Sequence, residues 1–65
     1  MFRVKNRVRT LNDLEGFEAG AEGVVNDIDS GGNLIVDLDK DAGGKVLDPP
    51  EPLLPHEPHN FEKIK

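Results

Sequence analysis

Cysteine is absent from this 65-residue chain, which removes disulfides, thiolate nucleophiles and the usual thiolate sites for zinc or iron–sulfur clusters. Tryptophan and tyrosine are absent too. Only three phenylalanines remain, so there is little aromatic surface on which nucleic-acid bases could stack. No apolar run exceeds four residues, and Met1 opens onto an alternating segment rather than a signal-peptide core. The expectation is a cytoplasmic chain that neither spans nor anchors in a membrane. Basic residues are also scarce, eight against thirteen acidic ones, for a net charge of −5. Nucleic acid and anionic membranes repel such a chain at long range.

What is present is enough for one small domain, residues 1–65. Nineteen Val, Ile, Leu and Phe residues can fill a single core, and a chain of this size buries only roughly 60% of its unfolded surface. Its charge is unevenly placed. Arg3, Lys5, Arg7 and Arg9 are half of the basic residues and share the first ten positions with no acid, which leaves −9 on the other fifty-five.

From Phe2 to Thr10 the chain alternates strictly, with Phe2, Val4, Asn6, Val8 and Thr10 on one side and the four cations on the other. Period two predicts a half-buried strand. Leu11 to Gly20 spaces Leu11, Leu14 and Phe17 by three, but Gly16 and Gly20 bracket too short a piece for a helix, and a long, partly packed loop is expected. Glu22 to Asp29 reads as a second strand whose apolar residues Val24, Val25 and Ile28 lose their alternation, which predicts a bulge or bend near Asn26. Ser30-Gly31-Gly32-Asn33 is a hairpin turn. After it Leu34, Val36 and Leu38 alternate with Ile35, Asp37 and Asp39 to give a third strand. Gly43 and Gly44 make the next turn, and Lys45 to Leu47 is short enough for an edge strand. Asp48 to His59 holds all five prolines, predicting a polyproline II loop. Phe61 to Ile64 closes the chain as a fifth strand, so the predicted class is all-β.

This layout resembles an SH3-like small barrel with a proline-rich loop before its last strand. Arg7-Val8-Arg9 followed by Gly20-Ala21-Glu22-Gly23-Val24-Val25 resembles the strand–loop–strand start of KOW-type barrels, and the layout is similar to the variable chain of ferredoxin–thioredoxin reductase and to short bacterial and phage proteins. The resemblance covers Val4 to Leu47 and Phe61 to Ile64. It implies a non-catalytic domain that docks on a larger enzyme, a ribosomal or transcription complex, or nucleic acid. Two features depart from that pattern. The first loop carries Asp13, Glu15, Glu18 and Glu22 where KOW-type nucleic-acid binders carry basic residues, and the proline-rich stretch is longer than the tight 3₁₀ turn usual there. Apart from any family, Gly20 and Gly23 flank the start of the second strand, where positive φ is expected. Phosphate cradling by these glycines would need a helix start and a lysine, and neither follows.

Asp37, Asp39, Asp41 and Asp48 fall at positions one, three, five and twelve of an EF-hand calcium window. The sixth position is Ala42 rather than glycine, the twelfth is not glutamate, and a strand precedes the window, so an acidic strand face running into a turn is the expectation. Asp27 and Asp29 make a weaker match, since Leu38 takes the last ligand position. His56 and His59, with Glu57 nearby, would share a face of a polyproline helix, but two imidazoles without a third ligand hold zinc, nickel or copper weakly. No metal or other cofactor is expected. Ser30 stands alone in a turn, Thr10 lies on a strand, and neither histidine has a nucleophile to activate, so no enzyme activity is expected.

Two features point to a partner. Four cations on one strand face repel one another unless acids such as Asp37 and Asp39 lie alongside or an acidic partner docks there. Pro49, Pro52, Pro55 and Pro58 repeat at spacing three around Leu53 and Leu54. That stretch either packs its leucines across an open barrel end or is recognised by a partner, and its flanking acids are unlike typical SH3 ligands. The expected interaction residues are therefore Arg3, Lys5, Arg7, Arg9, Pro52, Leu53, Leu54 and Pro55. The expected role is a protein-interaction module or accessory subunit, with no small-molecule substrate. A KOW-like nucleic-acid-binding domain using the first strand, and an acidic phage-type inhibitor that mimics nucleic acid, are the alternatives.

Overall fold

A computed structural model of the chain describes residues 1–64. The five strands are β1 (Arg7–Thr10), β2 (Glu22–Ile28), β3 (Leu34–Lys40), β4 (Val46–Pro52) and β5 (Phe61–Ile64), with a 3₁₀ turn at Pro58–Asn60. All pairings are antiparallel, in the order β4-β3-β2-β1-β5. The all-β, five-stranded expectation is borne out. Closure is not: β4 and β5 do not pair with each other among the described residues, so the sheet is open and has two edges.

Alternation on the three central strands builds one core. Val8 from β1, Val25 from β2 and Leu34, Val36 and Leu38 from β3 are fully buried or nearly so, and Ala21, Leu14, Leu53 and Phe61 close around them. The expected irregularity in β2 is present, since the register with β3 shifts between Val25 and Asp27 and leaves Asn26 unpaired. That extra residue returns Ile28 to the core side, where it packs at the periphery.

The first strand is shorter than the alternation predicts. Before Arg7 the chain forms a hook: Asn6 N–H donates to the Arg3 carbonyl at 3.1 Å, the Asn6 side-chain oxygen accepts the Arg3 N–H at 2.8 Å, and Lys5 sits at φ 80°. This is a turn of the type II kind, which favours glycine or asparagine at the position Lys5 occupies. It folds Phe2 back against the core and leaves Val4 45% exposed, so the alternation marks neither the start of the strand nor the burial of Val4. The hook is tied down by Lys5 N–H to the Val25 carbonyl (2.8 Å) and Val25 N–H to the Asn6 carbonyl (2.9 Å).

The long loop between β1 and β2 is ordered by its own small hairpin. Leu14 and Phe17 exchange both backbone hydrogen bonds across Glu15 and Gly16, whose φ values of 50° and 85° match a type I′ turn. The loop is closed by Thr10, whose buried hydroxyl accepts the Gly20 and Ala21 N–H groups at 3.1 Å each. That hydroxyl is structural.

The proline-rich stretch corrects the expectation most. β4 runs from Val46 through Pro52 rather than stopping at Leu47, and its pairing continues beyond the strand. Leu53 N–H donates to the Val36 carbonyl, and His56 and Leu34 exchange hydrogen bonds. The prolines occupy an edge strand, where a missing N–H is tolerated, and the ladder donors come from Leu53 and His56 between them. Only after Glu57 does the chain leave the sheet, through the 3₁₀ turn into β5.

Gly23 is the second correction. Its backbone is not left-handed; only Gly16, Gly20, Gly32 and Gly44 have positive φ among the glycines. A Cβ at Gly23 would instead lie 2.2 Å from the Asp37 carbonyl oxygen and 2.9 Å from Leu38 Cα. Close approach of β2 and β3 at the register shift demands the glycine.

Candidate functional site

The expected basic stripe divides into two parts. Arg7 and Arg9, on the outer face of β1, lie among carboxylates from three other strands. Arg7 binds Asp39 of β3 with both terminal nitrogens, at 2.8 and 3.0 Å, and reaches Glu22 of β2 at 3.5 Å. Arg9 meets Glu22 at 3.8 Å and Glu62 of β5 at 3.3 Å. The hydrogen bonds from Arg7, opposed by partial desolvation, hold the Asp39 carboxyl below its ordinary pKa, and the same contact raises that of the Arg7 guanidinium. Asp37 does not join this network; its neighbours across the ladders are Val24 and Pro52. The other two cations, Arg3 and Lys5, lie on the hook and make no ion pair among the described residues.

Pro52, Leu53, Leu54 and Pro55 are not brought to the cations. They follow β3 on the β4 side, with β3 and β2 between them and β1. The two leucines divide the roles offered for the segment. Leu53 is 5% exposed and belongs to the core, whereas Leu54 is 68% exposed. Leu53 is therefore a packing residue, which corrects its expected place on an interaction surface, and Leu54 remains available.

The acids once aligned with calcium loops have other tasks. Asp29 Oδ1 accepts the N–H groups of Gly31 and Asn33 at 2.9 Å each, and Asp41 Oδ1 accepts those of Gly43 and Lys45, also at 2.9 Å. Asp29-Ser30-Gly31-Gly32 and Asp41-Ala42-Gly43-Gly44 are thus the same device, with left-handed glycines at Gly32 and Gly44 closing two three-residue hairpin loops. The hydrogen bonds from Asn33, chiefly its backbone N–H, hold the Asp29 carboxyl below its ordinary pKa. Both turns were legible from their glycines, but the repeated Asp-x-Gly-Gly was missed because the aspartates were weighed only against calcium-loop spacing and not as acceptors for the turn amides. Asp39 spends both oxygens on Arg7.

His56 and His59 do not act together. The Glu15 carboxylate accepts the Leu54 N–H at 2.8 Å and lies 2.6 Å from His56 Nε2, clasping the long loop to the proline-rich segment. His59 lies beyond it on the 3₁₀ turn, 3.7 Å from Glu57.

Sequence reasoning also missed an open apolar groove at the end of the sheet where the hook meets the β2–β3 turn. Met1 and Phe2 form one wall, Ile28, Gly32 and Pro58 line the remainder, and buried Leu34 lies at its base. Residues 2, 28 and 34 each carry an apolar signal in the sequence; only the folding back of the hook brings them together. No helix among the described residues is long and apolar enough to cross a membrane. Comparison with protein-family models, with curated proteins and with solved structures found no match to the chain.

Proposed function

We propose that this chain is an SH3-like small domain serving as a non-enzymatic protein-interaction module or accessory subunit. Three features support the fold part of the reading: the order β4-β3-β2-β1-β5, the long ordered loop between β1 and β2, and the 3₁₀ turn immediately before β5. The groove walled by Phe2, Ile28 and Pro58 carries the functional part, because an exposed apolar groove is a surface that the apolar side chains of a partner protein can fill. Leu54 on the proline-bearing edge adds exposed apolar surface on another side.

The pairing of Arg7 and Arg9 favours a protein over a nucleic acid as partner. A phosphate backbone would have to displace Asp39, Glu22 and Glu62, all held in place by the sheet. Arg3 and Lys5, which make no ion pair among the described residues, favour the KOW-like reading instead, but two cations can supply a counterion-release slope of only about −1.8 on double-stranded DNA.

Affinity capture from the native host at low and high salt, with nuclease treatment, tests the proposal. The expected result is one stoichiometric protein retained at high salt and insensitive to nuclease. Retention of nuclease-sensitive material lost at high salt would favour the nucleic-acid reading, and no retained partner at either salt would overturn the proposal.

A further inference from the structure

The hook carries a feature that nothing within the described chain accounts for. Among the described residues, two other than glycine have left-handed backbones, Lys5 and Glu15. Such positions are disfavoured for an L-residue and persist only where the surrounding structure enforces them, so a residue other than glycine there asks for a reason in its side chain. Glu15 has an evident use, since its carboxylate holds Leu54 and His56. Lys5 has none. Its side chain is exposed and makes no hydrogen bond or ion pair among the described residues, although glycine or asparagine would suit the turn better.

The hook is nevertheless a built element and not a loose tail, pinned to β2 by the two backbone hydrogen bonds at Val25. It supplies the Met1 and Phe2 wall of the groove, and the next residues along it are the cation Arg3, the 45% exposed Val4 and the cation Lys5. Apolar surface and unneutralised positive charge thus lie side by side at one end of the sheet. In the β2–β3 turn that contributes Gly32 to the groove, the Asp29 carboxylate is turned into its own loop, bonded to Gly31 and Asn33.

We propose that this groove receives a short acidic segment of a protein partner, with a large apolar side chain seated over Leu34 between Phe2 and Ile28 and flanking carboxylates against Arg3 and Lys5. The inference rests on the protein-interaction reading above and names the chemistry of its ligand. Charge complementarity chooses the occupant. A short segment feels only the local field, because charges beyond about 8 Å are largely screened at physiological ionic strength. A membrane or a nucleic-acid duplex faces the whole molecule and its net charge of −5. An apolar recess also suits an inserted side chain, whereas insertion into lipid requires an apolar protrusion.

The test uses the full chain and a library of random short peptides, followed by anisotropy and amide chemical-shift mapping with individual synthetic winners. Selected peptides are expected to carry Asp or Glu next to Leu, Phe or Trp and to shift Phe2, Ile28 and Leu34. Lys5→Gly separates charge from folding, because glycine relaxes the turn while removing the cation. This variant should melt no lower than the parent, yet bind winners roughly three- to tenfold more weakly, the loss of about one partly desolvated ion pair. Arg3→Glu with Lys5→Glu should weaken them further.

Failure to enrich any peptide, winners without acidic residues, or shifts centred on Pro52 to Leu54 would each overturn the inference. So would unchanged affinity in Lys5→Gly. Phosphatidylserine vesicles that bind the parent but not Lys5→Gly would assign the hook to a membrane surface instead. A captured protein that the winning peptides do not displace would sink the groove assignment and leave the interaction reading standing, whereas capture of nucleic acid would sink that reading itself.

Discussion

Three residues show how differently backbone constraint can be met in one small chain. Gly23 has ordinary backbone geometry but no room for a side chain, and the atoms in its way are the backbone of Asp37 and Leu38, which cannot rotate aside. Gly23→Ala is therefore expected to destabilise by on the order of 2–4 kcal/mol, as overpacking against a fixed neighbour does. That is a large share of the roughly 3–10 kcal/mol available to a chain of this length, and a urea melt would show it as a lowered midpoint. An unchanged midpoint would mean that the two strands can separate at the register shift without loss. Lys5 presents the opposite case, with space and the wrong backbone. Lys5→Gly should raise stability by roughly 0.5–1 kcal/mol, the left-handed penalty less the entropy that glycine adds to the unfolded chain. A fall in stability would mean that the Lys5 side chain makes a contact within the fold. Glu15 occupies a left-handed position for the sake of its carboxylate.

At the scale of elements, the proline-bearing edge is where sequence and structure diverge most. Prolines advertise a break in the ladder, and five in ten positions read as an extended loop, yet the donors that matter sit between them at Leu53 and His56. Truncation distinguishes the two leucines. Leu53→Ala should cost about 2–5 kcal/mol, as core leucines do, while Leu54→Ala should stay within about 0.5 kcal/mol of the parent. Equal effects in thermal melts would contradict the division of the segment into a packed and an open side. β3 and β5 were legible because alternation or flanking turns marked their bounds, and the bulge in β2 was legible because a bulge resets the period of two. The beginning of β1 was not, since a hook that folds an apolar residue back onto the core leaves the same alternation as a strand. The outer face of β1 was half legible: acids were expected beside the cations, and Asp39 is there, but Glu22 and Glu62 follow from ladder registers that a sequence does not display. The clasp from Glu15 to Leu54 and His56 links positions about forty residues apart and leaves no local pattern at all.

For the molecule as a whole, acid is the natural denaturant. Asp39 and Asp29 both keep carboxyl pKa values below the ordinary 3.8, the first through Arg7 and the second through the turn amides. Each therefore binds a proton less readily folded than unfolded. The stability it contributes is complete above the unfolded value and disappears as pH falls through the folded one. Melting temperature is expected to stay level from neutrality to about pH 5 and to drop below about pH 4. Asp39→Asn should remove part of that drop, so that parent and variant converge in acid; parallel curves would mean that the Arg7 contact contributes nothing.

The open sheet also governs how copies of the molecule meet in concentrated solution. Of its two edges, the β4 side interrupts its donors with prolines, so an approaching strand finds gaps in the row. The β5 side is short and bears Glu62 and Lys63 in succession. Two such strands pairing antiparallel about a two-fold axis must centre on one residue, so the two registers with most overlap set Glu62 against Glu62 or Lys63 against Lys63. Like charges directly opposed disfavour both. Lys63→Val would lift one of these vetoes, and light scattering should then register dimers at concentrations where the parent stays monomeric. An open sheet, in this chain, is kept from polymerising by two charged residues and a run of missing amide protons.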